Sequence, residues 1–197
     1  MFIKDWKKEI LTIPNMLSLF RLILIPVYVT IYLNAQDNIF DYYIAAGILA
    51  VSCLTDLIDG KIARHFNMVS TVGKILDPFA DKATQFTLIV CLAVNYNILW
   101  YIVGLFVVKE MFQLVAGSIT LRKGRMLKGA LLSGKICTTV LFVSLIFMIM
   151  VPNLPNTTVY TIAAVDAIFM LISFANYLFT YFSRNNQFQD LDSNKND

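Results

Sequence analysis

The chain has 197 residues, of which 58% are hydrophobic and 15% charged, and its mean hydropathy is +0.68. A water-soluble domain carries about 25% charged residues, so this composition excludes an ordinary soluble globule and points to an integral membrane protein built as one helical bundle. The net charge of +3 is small and no nucleic-acid partner is expected, while three cysteines in or beside apolar stretches (Cys53, Cys91, Cys137) argue against a disulfide framework.

In chain order, the stretch Ile3–Leu11 sets Phe2, Ile3, Trp6, Ile10 and Leu11 against Lys4, Lys7, Lys8 and Glu9. That pattern predicts a short amphipathic helix lying in the membrane interface. A spanning helix needs about 20 apolar residues. Six runs qualify: Asn15–Leu33, Phe40–Ala63, Val72–Val94, Ile98–Leu121, Leu132–Val151 and Val159–Phe182. No small-residue cleavage site follows the first run, so it reads as a retained span. The expected fold is therefore an all-α integral membrane protein of six transmembrane helices plus the N-terminal interfacial helix. Residues 1–184 form a single membrane domain in this reading, and the polar residues 185–197 predict a disordered tail.

Lysine and arginine set the orientation. The connections Asn34–Ile39, Asn95–Asn97 and Pro152–Thr158 contain neither, whereas the N-terminus, the turn near Arg64–Lys74, the connection Arg122–Lys135 and the tail hold nearly all of them. This bias predicts a multi-pass protein of the cytoplasmic (inner) membrane with both termini in the cytoplasm. Lys109, inside a span, is the clear exception.

Four aspartates interrupt the apolar runs. Asp56 and Asp59 lie near the end of the second, Asp77 and Asp81 near the start of the third. Spacings of three and four put each pair on one helix face. Asp56 precedes Arg64, and Asp81 follows Gly73, by about 12 Å of helix, so the pairs can meet at one depth near the inner membrane face. An intramembrane carboxylate costs roughly 2.5–3.5 kcal/mol on insertion scales. Four together repel unless protons or cations intervene. Carboxylate-rich, all-oxygen sites suit Mg²⁺ or Mn²⁺, and two such ions are the usual clamp for displacement at phosphorus. Gly60 and Gly73 allow a bulky ligand close to the backbone. Lys61, Arg64, Lys74 and Lys82 add charge for phosphate. Pro78 is expected to bend the third span.

The pattern Asp56-x-x-Asp59-Gly60-x-x-Ala63-Arg64, eight residues, Gly73-x-x-x-Asp77-x-x-x-Asp81 resembles the signature of the CDP-alcohol phosphatidyltransferases at every position. The resemblance implies that Asp56, Asp59, Asp77 and Asp81 hold two divalent ions. It implies that Asp81 also acts as the catalytic base, and that Gly60, Ala63 and Arg64 line the cytidine and phosphate site for CDP-diacylglycerol. It further implies a homodimer in contact with membrane lipids. Asn15, Ser18 and Arg21 recur every three residues and resemble the family's Pro-Asn-x-x-Ser/Thr-x-x-Arg segment, which adds Asn15 and Arg21 to the nucleotide or diphosphate contacts.

Lys109-Glu110 and Gly134-Lys135-x-x-Thr138 resemble pairs in phosphatidylglycerophosphate synthases. They mark Lys109 and Lys135 as candidates for an acceptor phosphate, to which Arg122 or Arg125 of the connection after the fourth span can add charge, with glycerol 3-phosphate as the expected acceptor. Gly117 and Ser118 stand in the region where that subfamily carries a further basic residue, which keeps phosphatidylglycerol, the acceptor of a cardiolipin synthase, as the alternative. A different class, a small divalent-metal transporter, accounts for the aspartates but gives no role to the Gly-x-x-Ala-Arg continuation. Asp166 lies mid-span and is expected to pair with Lys109, another basic group or a hydroxyl, and His65 is expected at the interface.

Overall fold

The computed structural model describes residues 13–35, 39–65, 73–122, 125–127, 131–151, 153–182 and 188–190, with the side chains of 13–14, 39, 53–54, 56–65, 73–75, 125–127 and 188–190 outside that description. The expected interfacial helix at Ile3–Leu11 lies outside the described residues. Six helices follow in order: α1 (Ile13–Asn34), α2 (Ile39–His65), α3 (Gly73–Asn95), α4 (Leu99–Arg122), α5 (Leu132–Met150) and α6 (Asn156–Phe182). Four of them, α1, α4, α5 and α6, are long and apolar enough to cross a membrane, and Phe40–Ser52 within α2 is a shorter apolar helix. The protein is thus a membrane protein that, among the described residues, is helical apart from one two-stranded ribbon. In α3 the apolar run is diluted at its start by Lys74, Asp77, Asp81 and Lys82 of the aspartate motif. Pro78 lies inside α3, and the helix continues through it.

The chain forms two compact units, the first made mainly of α1–α3 and the second mainly of α4–α6. In the first unit α1 packs along α2. Its buried stripe is Asn15, Ser18, Arg21, Tyr28 and Tyr32, positions that recur at heptad-like spacing and so stay on one side of the helix. The opposite side exposes Phe20, Ile23 and Val27. This inversion, polar groups inside and aliphatic groups outside, is what a lipid solvent selects, since lipid offers no partner to a polar atom. Tyr28 and Tyr32 stack at 5.6 Å, and Tyr32 meets Tyr42 of α2 at 5.4 Å, which ties the two helices at that level. A small apolar pocket, lined by Leu24 and Tyr28 of α1, Leu49 and Ser52 of α2, and Thr84 and Leu88 of α3, brings all three helices together.

In the second unit α4 packs on α6. The stripe of α6, Val159, Ala163, Asp166, Met170, Ser173 and Thr180, is buried. Phe112 of α4 meets Phe174 of α6 edge-on at 5.3 Å. Beyond α4, the strand β1 (Arg125–Leu127) pairs antiparallel with β2 (Phe188–Asp190), Arg125 opposite Asp190. Part of the stretch predicted to be a disordered tail is therefore strand. The backbone of Phe188–Asp190 takes its hydrogen bonds from the α4–α5 connection, a pairing that polar composition alone does not reveal.

Candidate active site

Two of the four motif aspartates have described side chains, and both are gripped by α1. The Ser18 hydroxyl donates to Asp77 Oδ1. Arg21 Nη1 donates to Asp81 Oδ1 at 2.6 Å, with the arginine side chain only 3% exposed and the aspartate 49% exposed. Ser18 and Arg21 are three apart on α1, and Asp77 and Asp81 four apart on α3, so each pair presents one face and the two faces match turn for turn. Asn15, one turn before Ser18, is buried on the same stripe. The expected cluster of Asn15, Ser18 and Arg21 is thus a shared face, and its described partners are the α3 carboxylates. Ser18 is the residue whose importance exceeds what the sequence indicates. The three-residue recurrence is its signal, but nothing local names Asp77 as its partner.

Asp56 and Asp59 lie on α2, and their side chains, like those of Gly60, Ala63, Arg64 and Gly73, fall outside the described residues. Their register is nonetheless informative. Ala45, Leu49 and Ser52 form the buried stripe of α2, and positions 56 and 59 continue its four-then-three spacing. On α3, Asp77 and Asp81 continue backward from the buried Thr84 and Leu88 at steps of three and four. Ser52 and Thr84 line the same pocket. The stripes that meet there lead, one turn on, to positions 56 and 81.

The donors placed here are carboxylate and hydroxyl oxygens, a set that fits a hard divalent cation. Among the described residues no group of three or more histidine, cysteine, aspartate or glutamate side chains could hold a metal ion, and two of the four motif carboxylates lie outside those residues.

The acceptor candidates belong to the second unit. Lys109 is 2% exposed, and its ammonium donates to Glu110 Oε1 at 2.7 Å. An ammonium at this depth needs a counter-charge, and its sequence neighbour supplies it. Arg122 is exposed at the end of α4, Lys135 is exposed at the start of α5, and Arg125 lies in β1. Asp166, 1% exposed, accepts a hydrogen bond from Ser144 of α5 at 2.7 Å, the hydroxyl partner among the expected options. His65 closes α2, with its side chain outside the described residues.

Comparison with known proteins bears on what these groups do together. Residues 11–179 match the family described as CDP-alcohol phosphatidyltransferase. The chain is 35% identical over 118 residues to a Drosophila melanogaster protein named probable cardiolipin synthase (CMP-forming), covering 59% of this chain and 35% of that one. It is 50% identical over 72 residues to the human cardiolipin synthase (CMP-forming), 36% of this chain and 22% of that one. It is 27% identical over 119 residues to a Mycobacterium tuberculosis protein named probable phosphatidylglycerophosphate synthase, 60% and 57% respectively. The matched stretches therefore span from about a fifth to somewhat over half of these relatives' lengths. Since the match extends from the start of α1 to the last turns of α6, and takes in the stripe that grips Asp77 and Asp81, the chain belongs to the CDP-alcohol phosphatidyltransferase family.

Proposed function

We propose that this protein transfers a phosphatidyl group from CDP-diacylglycerol to the hydroxyl of a phosphate-bearing alcohol and releases CMP. The observation that supports this most directly is the pair of α3 carboxylates held by Ser18 and Arg21, in a chain of this family. The acceptor hydroxyl attacks the phosphorus that carries diacylglycerol. A new P–O bond forms there, the P–O bond to CMP breaks, and the acceptor proton passes to Asp81. Asp81 suits that role because half of its side chain is exposed while α1 fixes its position. Divalent ions held by Asp56, Asp59, Asp77 and Asp81, Mg²⁺ or Mn²⁺, would supply positive charge for the diphosphate. Asn15, Gly60, Ala63, Arg64 and Gly73 line the nucleotide and diphosphate site in this reading, and Arg21 orients Asp81 and adds charge there.

The higher identity to proteins named cardiolipin synthase favours phosphatidylglycerol as the acceptor. Glycerol 3-phosphate is the second reading, supported by the Mycobacterium tuberculosis relative and by the exposed cation Lys135. Lys109, Arg122 and Arg125 complete the candidate acceptor set. All six helices span the membrane in this proposal, both termini face the cytoplasm, and the working form is a homodimer. The test is CMP release by purified protein given CDP-diacylglycerol, Mg²⁺ or Mn²⁺, and either phosphatidylglycerol or glycerol 3-phosphate. We expect release with phosphatidylglycerol, abolished by chelation and by Asp81→Asn. Divalent-metal flux into vesicles without CMP release under any acceptor refutes the proposal in favour of a transporter.

A further inference from the structure

Near the end of α6, Tyr177 and Tyr181 stack one turn apart, ring centroids 6.4 Å apart, and Phe112 of α4 meets Tyr181 edge-on at 6.1 Å. The outer end of the Tyr177 ring lies on the backbone of α5. A Cβ built on Gly134 would meet the Tyr177 hydroxyl at 2.7 Å, its Cε2 at 3.0 Å and its Cζ at 3.3 Å. Gly134 is buried, and its amide and that of Lys135 both donate to the Leu131 carbonyl, at 3.0 and 3.2 Å. The Thr138 hydroxyl returns to the carbonyls of Gly134 and Lys135. The first turn of α5 is thus held from inside by Tyr177 and tied along its own axis by Thr138.

Glycine in a helix costs about 1 kcal/mol relative to alanine. Its presence at 134 follows from the phenol occupying the space of a methyl group. Lys135 is the next residue, about 100° round the helix, and it is exposed. A turn fixed at Gly134 therefore fixes the direction in which Lys135 leaves the helix.

We propose that Tyr177 is a positioning residue: by seating its hydroxyl on Gly134 it sets the first turn of α5 and so aims Lys135 at the phosphate of the acceptor. This rests on the proposed transferase reading, in which Lys135 binds that phosphate. Tyr177 makes no contact with substrate in this scheme and acts only through the α5 backbone.

The experiment is a double-mutant cycle on the purified protein in detergent, with phosphatidylglycerol and glycerol 3-phosphate each tried as acceptor. Gly134→Ala is expected to raise the KM for the acceptor about tenfold, with kcat and the KM for CDP-diacylglycerol within about twofold. Tyr177→Phe, which keeps the ring, raises the same KM by about threefold. On a Tyr177→Leu background, Gly134→Ala adds less than about twofold, because the clash is gone. Amide hydrogen exchange over 131–135, read by mass spectrometry, speeds up in Gly134→Ala and Tyr177→Phe, and this readout needs no turnover. Additive effects, equal changes in both KM values, or unchanged exchange in Tyr177→Phe overturn the proposal. A parent protein that releases no CMP with either acceptor overturns the transferase reading and the role of Lys135 with it, while the exchange data still decide whether Tyr177 holds the turn.

Discussion

The Arg21–Asp81 pair is lopsided, and its two halves should not be equally expensive to remove. Arg21 is almost wholly enclosed and Asp81 is half open. Asp81→Asn removes the carboxylate to which the enclosed guanidinium donates. Breaking a fully buried pair costs about 3–5 kcal/mol. A hydrogen bond to a charged group is worth about 1.5–3 kcal/mol. The open side of Asp81, and the further contacts that both side chains make, place the expected cost near the lower figures, about 2 kcal/mol. Arg21→Met instead leaves a half-solvated carboxylate, at about 0.5–1 kcal/mol. For a chain of this length, 1 kcal/mol shifts Tm by about 2–4 °C. Thermal unfolding in detergent, followed by intrinsic fluorescence, should therefore drop by about 4–8 °C in Asp81→Asn and by about 1–4 °C in Arg21→Met. The double variant should melt close to Arg21→Met alone, since no stranded charge remains. Equal losses in the two single variants, or strict additivity in the double, refute the asymmetry argument. The result also matters for enzymology. An Asp81→Asn preparation that has lost activity must be shown to be folded before the loss is assigned to chemistry.

Two further expectations follow from neighbouring contacts. Ser18→Ala removes the hydroxyl that orients Asp77, and loss of such an outer partner typically costs about tenfold in metal affinity. Mn²⁺ titration followed by electron paramagnetic resonance checks this, and unchanged affinity sinks it. Ser144→Ala leaves the buried Asp166 without its donor among the described residues. Interhelical hydrogen bonds in lipid average about 0.6 kcal/mol, reaching about 1.7, so Tm should fall by about 1–5 °C, whereas Ser144→Thr should hold it.

Element positions were highly legible. The six apolar runs fall within a few residues of α1–α6, because a long stretch of mostly lipid-compatible side chains leaves the backbone no alternative to a helix. The aspartate faces were legible too, as spacings of three and four. Partnership was not. Ser18 lies 59 residues from Asp77, and Arg21 lies 60 from Asp81. Helical periodicity says which residues share a face but not which face it meets. Lys109 is a candidate phosphate ligand from sequence, and its pairing with Glu110, its own neighbour, is a geometry open only to long flexible side chains that the sequence does not announce. The β1–β2 ribbon was illegible for another reason: strands of three residues carry too little pattern to stand out against a polar tail. The role of Gly134 was hidden likewise, since a glycine at a helix start is explained only by the tyrosine resting on it.

The buried stripe of α1 also has a consequence for biogenesis. The guanidinium of Arg21 emerges from the ribosome 60 residues ahead of the Asp81 carboxylate to which it donates. At about 5–20 residues per second, that is roughly 3–12 s of translation. Over that interval α1 carries the arginine without Asp81, which favours holding that end of the helix close to the interface until α3 arrives. A ribosome stalled between α2 and α3 is therefore expected to leave a nascent chain that still crosslinks to the translocon.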